Sequence, residues 1–223
     1  YASARRVFDL LDAKEIKPDP ADAEVIQDPQ GSIEFDDVAF SYDAKHPLLS
    51  HISFKAEPGQ KIALVGPTGC GKTTLINLLL RFYSIDSGAI YVDGHNTQKL
   101  TRASLREQFG MVLQDTWLFK GTIKENIRYA KPDATDEEII AAAQKAQAHE
   151  FIQQLPQGYD TMVGESGGSL SQGQQQLLCI ARVMLANPPI LLLDEATSSI
   201  DTRTEQLVQK AFDTIMNGRT SLV

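Results

Sequence analysis

Residues 61–73 read Lys-Ile-Ala-Leu-Val-Gly-Pro-Thr-Gly-Cys-Gly-Lys-Thr, and this stretch decides the fold of the 223-residue chain. Its first five residues are mostly apolar and predict a buried β-strand. Its last eight residues match the pattern G-x-x-x-x-G-K-[ST], and leucines at helical spacing follow over residues 73–83. A strand, a glycine-rich loop and a helix in this order indicate a phosphate-binding loop in an α/β fold.

The chemistry of such a loop follows from its backbone. Glycines allow the N–H groups to point inward, and the helix that follows adds the positive end of its dipole. The pattern predicts that Lys72 reaches the β- and γ-phosphates of a nucleotide and that the Thr73 hydroxyl is a ligand of Mg²⁺. The residues expected to bind the cofactor are Gly66, Pro67, Thr68, Gly69, Cys70, Gly71, Lys72, Thr73 and Thr74.

A second motif ends another apolar strand. Residues 190–195 read Ile-Leu-Leu-Leu-Asp-Glu, so a strand delivers two carboxylates to its C-terminal end, where ligands bind in open α/β sheets. We expect Asp194 to orient Mg²⁺ and Glu195 to polarise the attacking water as the catalytic base. Such an acidic pair also caps helices, and its meaning here depends on the phosphate loop.

Composition limits the class of protein. Lys and Arg number 21 and Asp and Glu 29, so the net charge is −8. We expect no nucleic-acid partner, because proteins that bind phosphate backbones usually carry the opposite charge. Cys70 and Cys179 lie far apart, without the spacing of metal ligands, and both are expected to be reduced thiols.

The remaining pattern predicts the organisation of the chain. Residues 1–12 have the spacing of a helix, and residues 17–31, with three prolines, predict an extended linker. The compact domain is expected from residue 32 onward. Strands alternate with helices and predict a mostly parallel core sheet, interrupted by a helical stretch at about 115–187.

Smaller signals place individual elements. Alternating apolar residues over 33–42 predict half-buried strands, and residues 111–113 predict a short buried strand. Thr135 and Glu138 form a capping box that opens an Ala-rich helix reaching about Ala148.

One further segment carries a family resemblance. Residues 170–174, Leu-Ser-Gln-Gly-Gln, resemble the signature L-S-G-G-Q of ATP-binding cassette (ABC) proteins, and Ser171 follows Lys72 by 99 residues (171 − 72). The chain resembles the nucleotide-binding domain of an ABC exporter over residues 32–223, with its C-terminal end missing. The resemblance implies a P-loop NTPase core sheet, an antiparallel β subdomain and an inserted α-helical subdomain.

The resemblance also implies roles for single residues. Tyr42 looks like the tyrosine that stacks on the adenine of ATP, although a core tyrosine at a strand end is the alternative. Gln114 looks like the glutamine that touches Mg²⁺ and the attacking water and senses the membrane domain. Glu165 resembles a contact to the membrane domain, with a solvated loop glutamate as the alternative.

In this family two cassettes enclose two ATP molecules, and the signature of one meets the γ-phosphate held by the other. The resemblance therefore implies that Ser171, Gly173 and Gln174 bind ATP in trans, and that residues 198–201 cross the dimer interface. Gln172 replaces a signature glycine, so we expect a weakened partner site. A heterodimer is thus favoured over a homodimer.

The function implied is an ATPase that powers export from the cytoplasmic face of the cell membrane. Residues 5–12 resemble the helix after an exporter's last membrane span, which disfavours the alternative of a soluble or importer-type ABC ATPase. The family's switch histidine follows the last strand, where this chain stops, so we expect the 223 residues alone to hydrolyse ATP weakly. None of the four histidines occupies that position: His46, His51, His95 and His149.

Overall fold

The computed structural model describes residues 2–13, 18–43, 46–67, 69–113, 116–164, 170–193 and 202–223. Ten β-strands and eight α-helices lie within these ranges. The strands are β1 Ile33–Phe40, β2 Leu49–Ala56, β3 Lys61–Ile62, β4 Ser87–Val92, β5 His95–Asn96, β6 Phe109–Val112, β7 Gly121–Thr122, β8 Met162–Val163, β9 Ile190–Leu193 and β10 Thr220–Leu222. The helices are α1 Ala2–Leu11, α2 Lys72–Leu79, α3 Arg102–Glu107, α4 Ile123–Arg128, α5 Asp136–Lys145, α6 His149–Gln154, α7 Gln172–Ala186 and α8 Thr202–Met216.

A parallel sheet carries the two sequence motifs. Its strand order is β3-β10-β9-β6, so β10 lies between the strand of the phosphate loop and the strand that precedes the acidic pair. Ser221 pairs with Lys61 on one side and with Leu191 on the other. All four residues of β9 are buried, as expected for a strand covered on both faces.

An antiparallel sheet stands beside it, in the order β2-β1-β4-β5. Every pairing in it is antiparallel, and Phe35 of β1 stacks on Phe54 of β2 with ring centroids 4.7 Å apart. The combination of a parallel and an antiparallel sheet with helices confirms the predicted α/β class.

The predicted strand over residues 61–65 is only partly formed. Ladder pairing is confined to β3, although the Leu64 N–H still donates to the Val223 carbonyl over 2.7 Å. Val65 is 92% exposed, so its predicted burial is wrong. The chain leaves the edge of the sheet at this point and turns into the phosphate loop.

Two helices end earlier than their apolar patterns predict. Helix α2 stops at Leu79 instead of Tyr83, because Arg81 adopts φ 54°, in the left-handed region that a helix cannot continue through. Helix α5 begins at the predicted capping box but stops at Lys145 instead of Ala148, since Gln147 has φ 59°.

The stretch between β6 and β9 holds α4 to α7 and the two-residue strands β7 and β8, which pair antiparallel although α4, α5 and α6 lie between them in the chain. Its helices enclose one hydrophobic core with α8, whereas α2 belongs to a second core with β1, β2 and β4. The predicted helical content of this stretch is present. The subdomain limits at 115 and 187, and the linker limit at 31, stay predictions.

The predicted linker lies against the domain. The Glu24 N–H donates to the Lys99 carbonyl, and the Ile26 N–H donates to the Ser104 hydroxyl over 2.9 Å. Ile26 is 7% exposed, so this segment contributes a side chain to the hydrophobic core. The sequence pattern predicts that the core begins only at residue 32, after this segment.

The longest helices in the described ranges, α7 and α8, have 15 residues each. Across those ranges no helix combines the length and the apolar character that crossing a bilayer requires.

Candidate nucleotide-binding site

The phosphate loop is shaped by two glycines with positive φ. Gly69 has φ 85° and Gly71 has φ 102°, values that residues with a side chain rarely adopt. Gly71 is also the residue before α2, and a Cβ built on it would lie 2.7 Å from Cδ2 of Leu49. The loop therefore needs glycine here for its backbone turn and for its contact with β2.

Lys72 opens α2 and its side chain folds back over the loop. The Nζ ammonium donates to the Gly66 carbonyl over 2.6 Å and to the Pro67 carbonyl over 3.1 Å. The Cys70 Sγ lies 3.9 Å from the same nitrogen. The positive charge is thus held at the centre of the loop, which is where the sequence predicts that it meets phosphate.

The two threonines after Lys72 have different environments. Thr73 is exposed in the first turn of α2, whereas Thr74 is 5% exposed. The Thr74 hydroxyl is hydrogen-bonded to the Tyr42 hydroxyl over 3.1 Å. An exposed hydroxyl oxygen suits Mg²⁺, which prefers oxygen ligands and keeps several waters, so Thr73 fits the predicted metal role.

A cavity of about 730 Å³ lies at the C-terminal edge of the parallel sheet. Lys72 and Thr73 line it together with Leu113 and Leu193. In sequence, Leu113 precedes Gln114 and Leu193 precedes Asp194. This is the edge at which ligands bind in open α/β sheets.

Several predicted site residues lie outside the described residues. These are Thr68, Gln114, Glu165, Asp194, Glu195 and the segment 198–201. Their predicted roles in metal binding, catalysis and partner contacts stay predictions.

Tyr42 lies just beyond β1 and is 56% exposed, which argues against a core position. Its ring meets that of Phe40 edge-on at 4.8 Å and that of Tyr83 edge-on at 5.1 Å. An exposed, supported ring beside the helix that carries Lys72 can stack on a planar base.

The signature segment begins α7. Ser171 is its N-cap: the Ser171 hydroxyl accepts from the Gln174 N–H, and the Gln174 side chain accepts from the Ser171 N–H. This confirms the predicted capping box. The Ser171 hydroxyl keeps its own hydrogen for donation to a ligand. Gly173 is buried in the first turn, and α7 shares its core with α4 and α5 instead of α2.

Gln172 is the first helical residue of α7 and its side chain is exposed. Gln172 does not have a positive φ, so this position does not require glycine for its backbone conformation. Any weakening of a partner's site must then come from the bulk of the glutamine side chain.

Sequence reasoning missed two contacts around this site. Arg182 of α7 donates to the Trp117 carbonyl and to the Asn126 carbonyl, each over 2.6 Å, and so ties the signature helix to the segment after Gln114. Tyr83 is the second, through its ring contact with Tyr42. The partners lie far apart in sequence, and no local pattern marks them.

The fold and the phosphate loop define a nucleotide-binding protein of the P-loop class. The family model described as ABC transporter matches residues 49–198. This chain belongs to the ABC transporter family, and it is an ATP-binding domain of that family.

Two related proteins match the sequence along the whole chain. It is 54% identical over 222 residues to the uncharacterized ABC transporter ATP-binding protein YfiC of Bacillus subtilis (strain 168), covering 100% of this chain and 37% of that protein. It is 51% identical over 222 residues to the fatty acid ABC transporter ATP-binding/permease protein of Mycobacterium bovis, covering 100% of this chain and 35% of that protein.

A solved structure of a bacterial Atm1-family ABC exporter with ATP bound matches with a TM-score of 0.87 and 42% identity. The match covers 99% of this chain and 39% of that chain. The present chain thus spans little more than a third of the length of these relatives.

Proposed function

We propose that the chain is the ATP-binding and ATP-hydrolysing part of an ABC exporter. The observation that carries this proposal is the phosphate loop, with the Lys72 ammonium held over it at the C-terminal edge of a parallel sheet. Relatives named as ATP-binding/permease proteins, and an ATP-bound exporter as structural neighbour, support the assignment.

In this proposal the chain's own residues divide the work on ATP. Lys72 neutralises the β- and γ-phosphates, and the loop N–H groups and the start of α2 hold them. Thr73, Gln114 and Asp194 hold Mg²⁺, which supplies charge neutralisation at the phosphates. Glu195 takes the proton of the attacking water, and Tyr42 stacks on the adenine.

The proposed partner is a second ABC cassette. Ser171, Gly173 and Gln174 at the start of α7 meet the γ-phosphate that the other cassette holds, because a helix N-terminus attracts anions. The side chain of Gln172 at the same position favours a heterodimer. Two equally active sites in a homodimeric full-length protein would contradict that part of the proposal.

The second proposed partner is a membrane domain of the same protein, contacted through the Gln114 region and Glu165. The chain then works at the cytoplasmic face of the cell membrane.

Two substitutions test the proposal on the full-length protein. Lys72→Ala should weaken ATP binding about 10- to 100-fold, since it removes charge-assisted bonds to phosphate. Glu195→Gln should keep ATP binding and abolish hydrolysis, because the amide cannot accept the proton. Binding is measured with a fluorescent ATP analogue, and hydrolysis by phosphate release.

Thermal unfolding of each variant is the control for folding. The proposal fails if Lys72→Ala binds ATP like the wild type, or if Glu195→Gln hydrolyses it at the wild-type rate.

A further inference from the structure

We infer that Tyr83 is a positioning residue that holds the ring of Tyr42 in the orientation that receives the nucleotide base. The inference rests on the proposed function, in which Tyr42 stacks on adenine. It adds a residue to the base-binding side of the site, and it links that side to the helix of the phosphate loop.

The need for a positioning residue follows from where Tyr42 lies. Strand β1 ends at Phe40, so the backbone at Tyr42 is not fixed by a sheet ladder. The Tyr42 side chain is 56% exposed and therefore gains little from burial. The rotamer of Tyr42 must therefore be determined by the few groups that contact its side chain.

Two ring contacts fix the orientation of the Tyr42 ring plane. Tyr83 meets it at a centroid distance of 5.1 Å and an interplanar angle of 90°, and Phe40 meets it at 4.8 Å and 84°. Both are edge-to-face arrangements, which aromatic pairs favour because of their quadrupoles. Tyr83 also touches Phe40, with centroids 5.8 Å apart, so the three rings form one closed cluster.

A hydrogen bond fixes the far end of the same ring. The Tyr42 hydroxyl and the Thr74 hydroxyl are 3.1 Å apart, and Thr74 lies two residues after Lys72 in the first turn of α2. The base side and the phosphate side of the site are therefore joined by one side-chain contact.

The backbone around Tyr83 explains how it reaches this position. Helix α2 ends at Leu79, and Arg81 with φ 54° turns the chain out of the helix. Tyr83 follows that turn and is 46% exposed, so the core does not account for it. Residues near both ends of α2 thus contact Tyr42. Thr74 does so through its hydroxyl, and Tyr83 through its ring.

The test separates the base from the phosphates. ATP and inorganic tripolyphosphate, each with Mg²⁺, are the two probes, and binding of both to the full chain is measured by calorimetry. Tyr83→Ala should weaken ATP binding about 3- to 10-fold and leave tripolyphosphate binding unchanged. Tyr83→Phe keeps the ring and should restore ATP binding.

A double-mutant cycle identifies Tyr42 as the residue through which Tyr83 acts. In a Tyr42→Ala background, the further change Tyr83→Ala should have no additional effect on ATP binding. Tyr129→Ala is the matched control, since Tyr129 is also an exposed tyrosine, at 66%, and lies after α4. It should bind both probes like the wild type.

Three results would overturn the inference, and they point to different errors. Equal weakening of ATP and tripolyphosphate by Tyr83→Ala would mean that Tyr83 supports the phosphate loop instead of the base. Unchanged ATP binding by Tyr42→Ala would remove the role of Tyr42 but leave the phosphate site intact. Failure of the wild type to bind either probe would refute the proposed function itself.

Discussion

Gly110 is a single residue on which the fit between sheet and helix depends. A Cβ built on it would lie 2.3 Å from Cγ1 of Val183 in α7 and 2.7 Å from Cγ of Pro188. Gly110→Ala should therefore destabilise the protein by about 1–3 kcal/mol, the usual cost of overpacking. Urea unfolding followed by circular dichroism measures the change.

Gly164→Ala is the matched control. Among the described residues, no atom lies within 4 Å of a Cβ built on Gly164, and Gly164 does not have a positive φ, so alanine should be tolerated there. If Gly110→Ala unfolds at the same urea concentration as Gly164→Ala, the close approach of β6 and α7 is not a constraint on the fold.

At the scale of residues, prediction from sequence works where the chemistry is local. The glycines of the phosphate loop and the capping box of Ser171 follow from short patterns, and both have the expected geometry. Gly110 and Tyr83 do not, because their neighbours come from distant parts of the chain. A ring that touches Tyr42 from a turn 41 residues away (83 − 42) leaves no periodic signal.

Helix α4 illustrates how an element is held by its first turn. Thr122 and Glu125 form a capping box: the Glu125 carboxylate accepts the Thr122 N–H over 2.7 Å, and the Thr122 hydroxyl accepts the Glu125 N–H over 3.1 Å. Two hydrogen bonds lower the pKa of Glu125 below its ordinary 4.5: first the bond from the Thr122 backbone N–H, and second the bond with the Thr122 side chain.

This lowered pKa predicts a pH dependence. A carboxyl whose pKa is depressed in the folded state stabilises the protein above its unfolded pKa, and the contribution is lost as the pH falls through the folded pKa. The wild type should therefore be more stable than Glu125→Gln at pH 7. The difference should shrink as the pH falls below about 4.5, measured as urea midpoints at a series of pH values.

Glu107→Gln provides the comparison, since Glu107 is exposed at the end of α3 and belongs to no capping box. Its difference from the wild type should change much less over the same range. A Glu125→Gln difference that is constant from pH 7 to pH 3 would contradict the role of the carboxylate charge.

At the scale of elements, apolar runs and capping boxes predict where an element begins better than where it ends. Strand β9 and the start of α5 agree with the sequence pattern. The ends of α2 and α5 were predicted too late, because residues with side chains, Arg81 and Gln147, take left-handed conformations that composition does not reveal. Tertiary contacts stabilise such turns.

The segment before the domain is joined to it through Asp19. Its carboxylate accepts the Arg102 N–H over 3.0 Å, pairs with the Arg102 guanidinium at 2.6 Å and lies 3.5 Å from that of Arg81. Burial, and then the charge of Arg102, lower the pKa of Arg81. Asp19 thus links the segment to the residues that follow α2 and begin α3.

Asp19→Asn should loosen this attachment. Two partly buried guanidiniums would lose their anionic partner, so the unfolding free energy should fall by about 1–3 kcal/mol. Cleavage after Glu24 by an endoproteinase specific for glutamate should become faster, followed by mass spectrometry. Asp22→Asn, at an exposed position in the same segment, should change neither quantity. Equal cleavage rates for both variants would show that Asp19 does not anchor the segment.

At the scale of the whole molecule, the order of strands and helices along the chain predicts the α/β class and the edge of the sheet where the site lies. The order of strands and helices does not predict that residues 18–31 pack against the domain. Prolines and acidic residues there predict an extended segment, and no helix or strand lies within residues 18–31, but the bonds to Ser104 and Arg102 span 78 and 83 residues. Local composition does not record such partners.

The place of β10 has a consequence for how the protein is made. β10 lies between β3 and β9 in the parallel sheet and pairs with both. The Gly59 N–H donates to the Thr220 hydroxyl, which is 161 residues away in the chain. At about 5–20 residues per second, a ribosome needs roughly ten to thirty seconds to cover that distance. Until then the strand of the phosphate loop lacks its parallel partner, and the backbone groups on that edge of β3 stay without their ladder bonds.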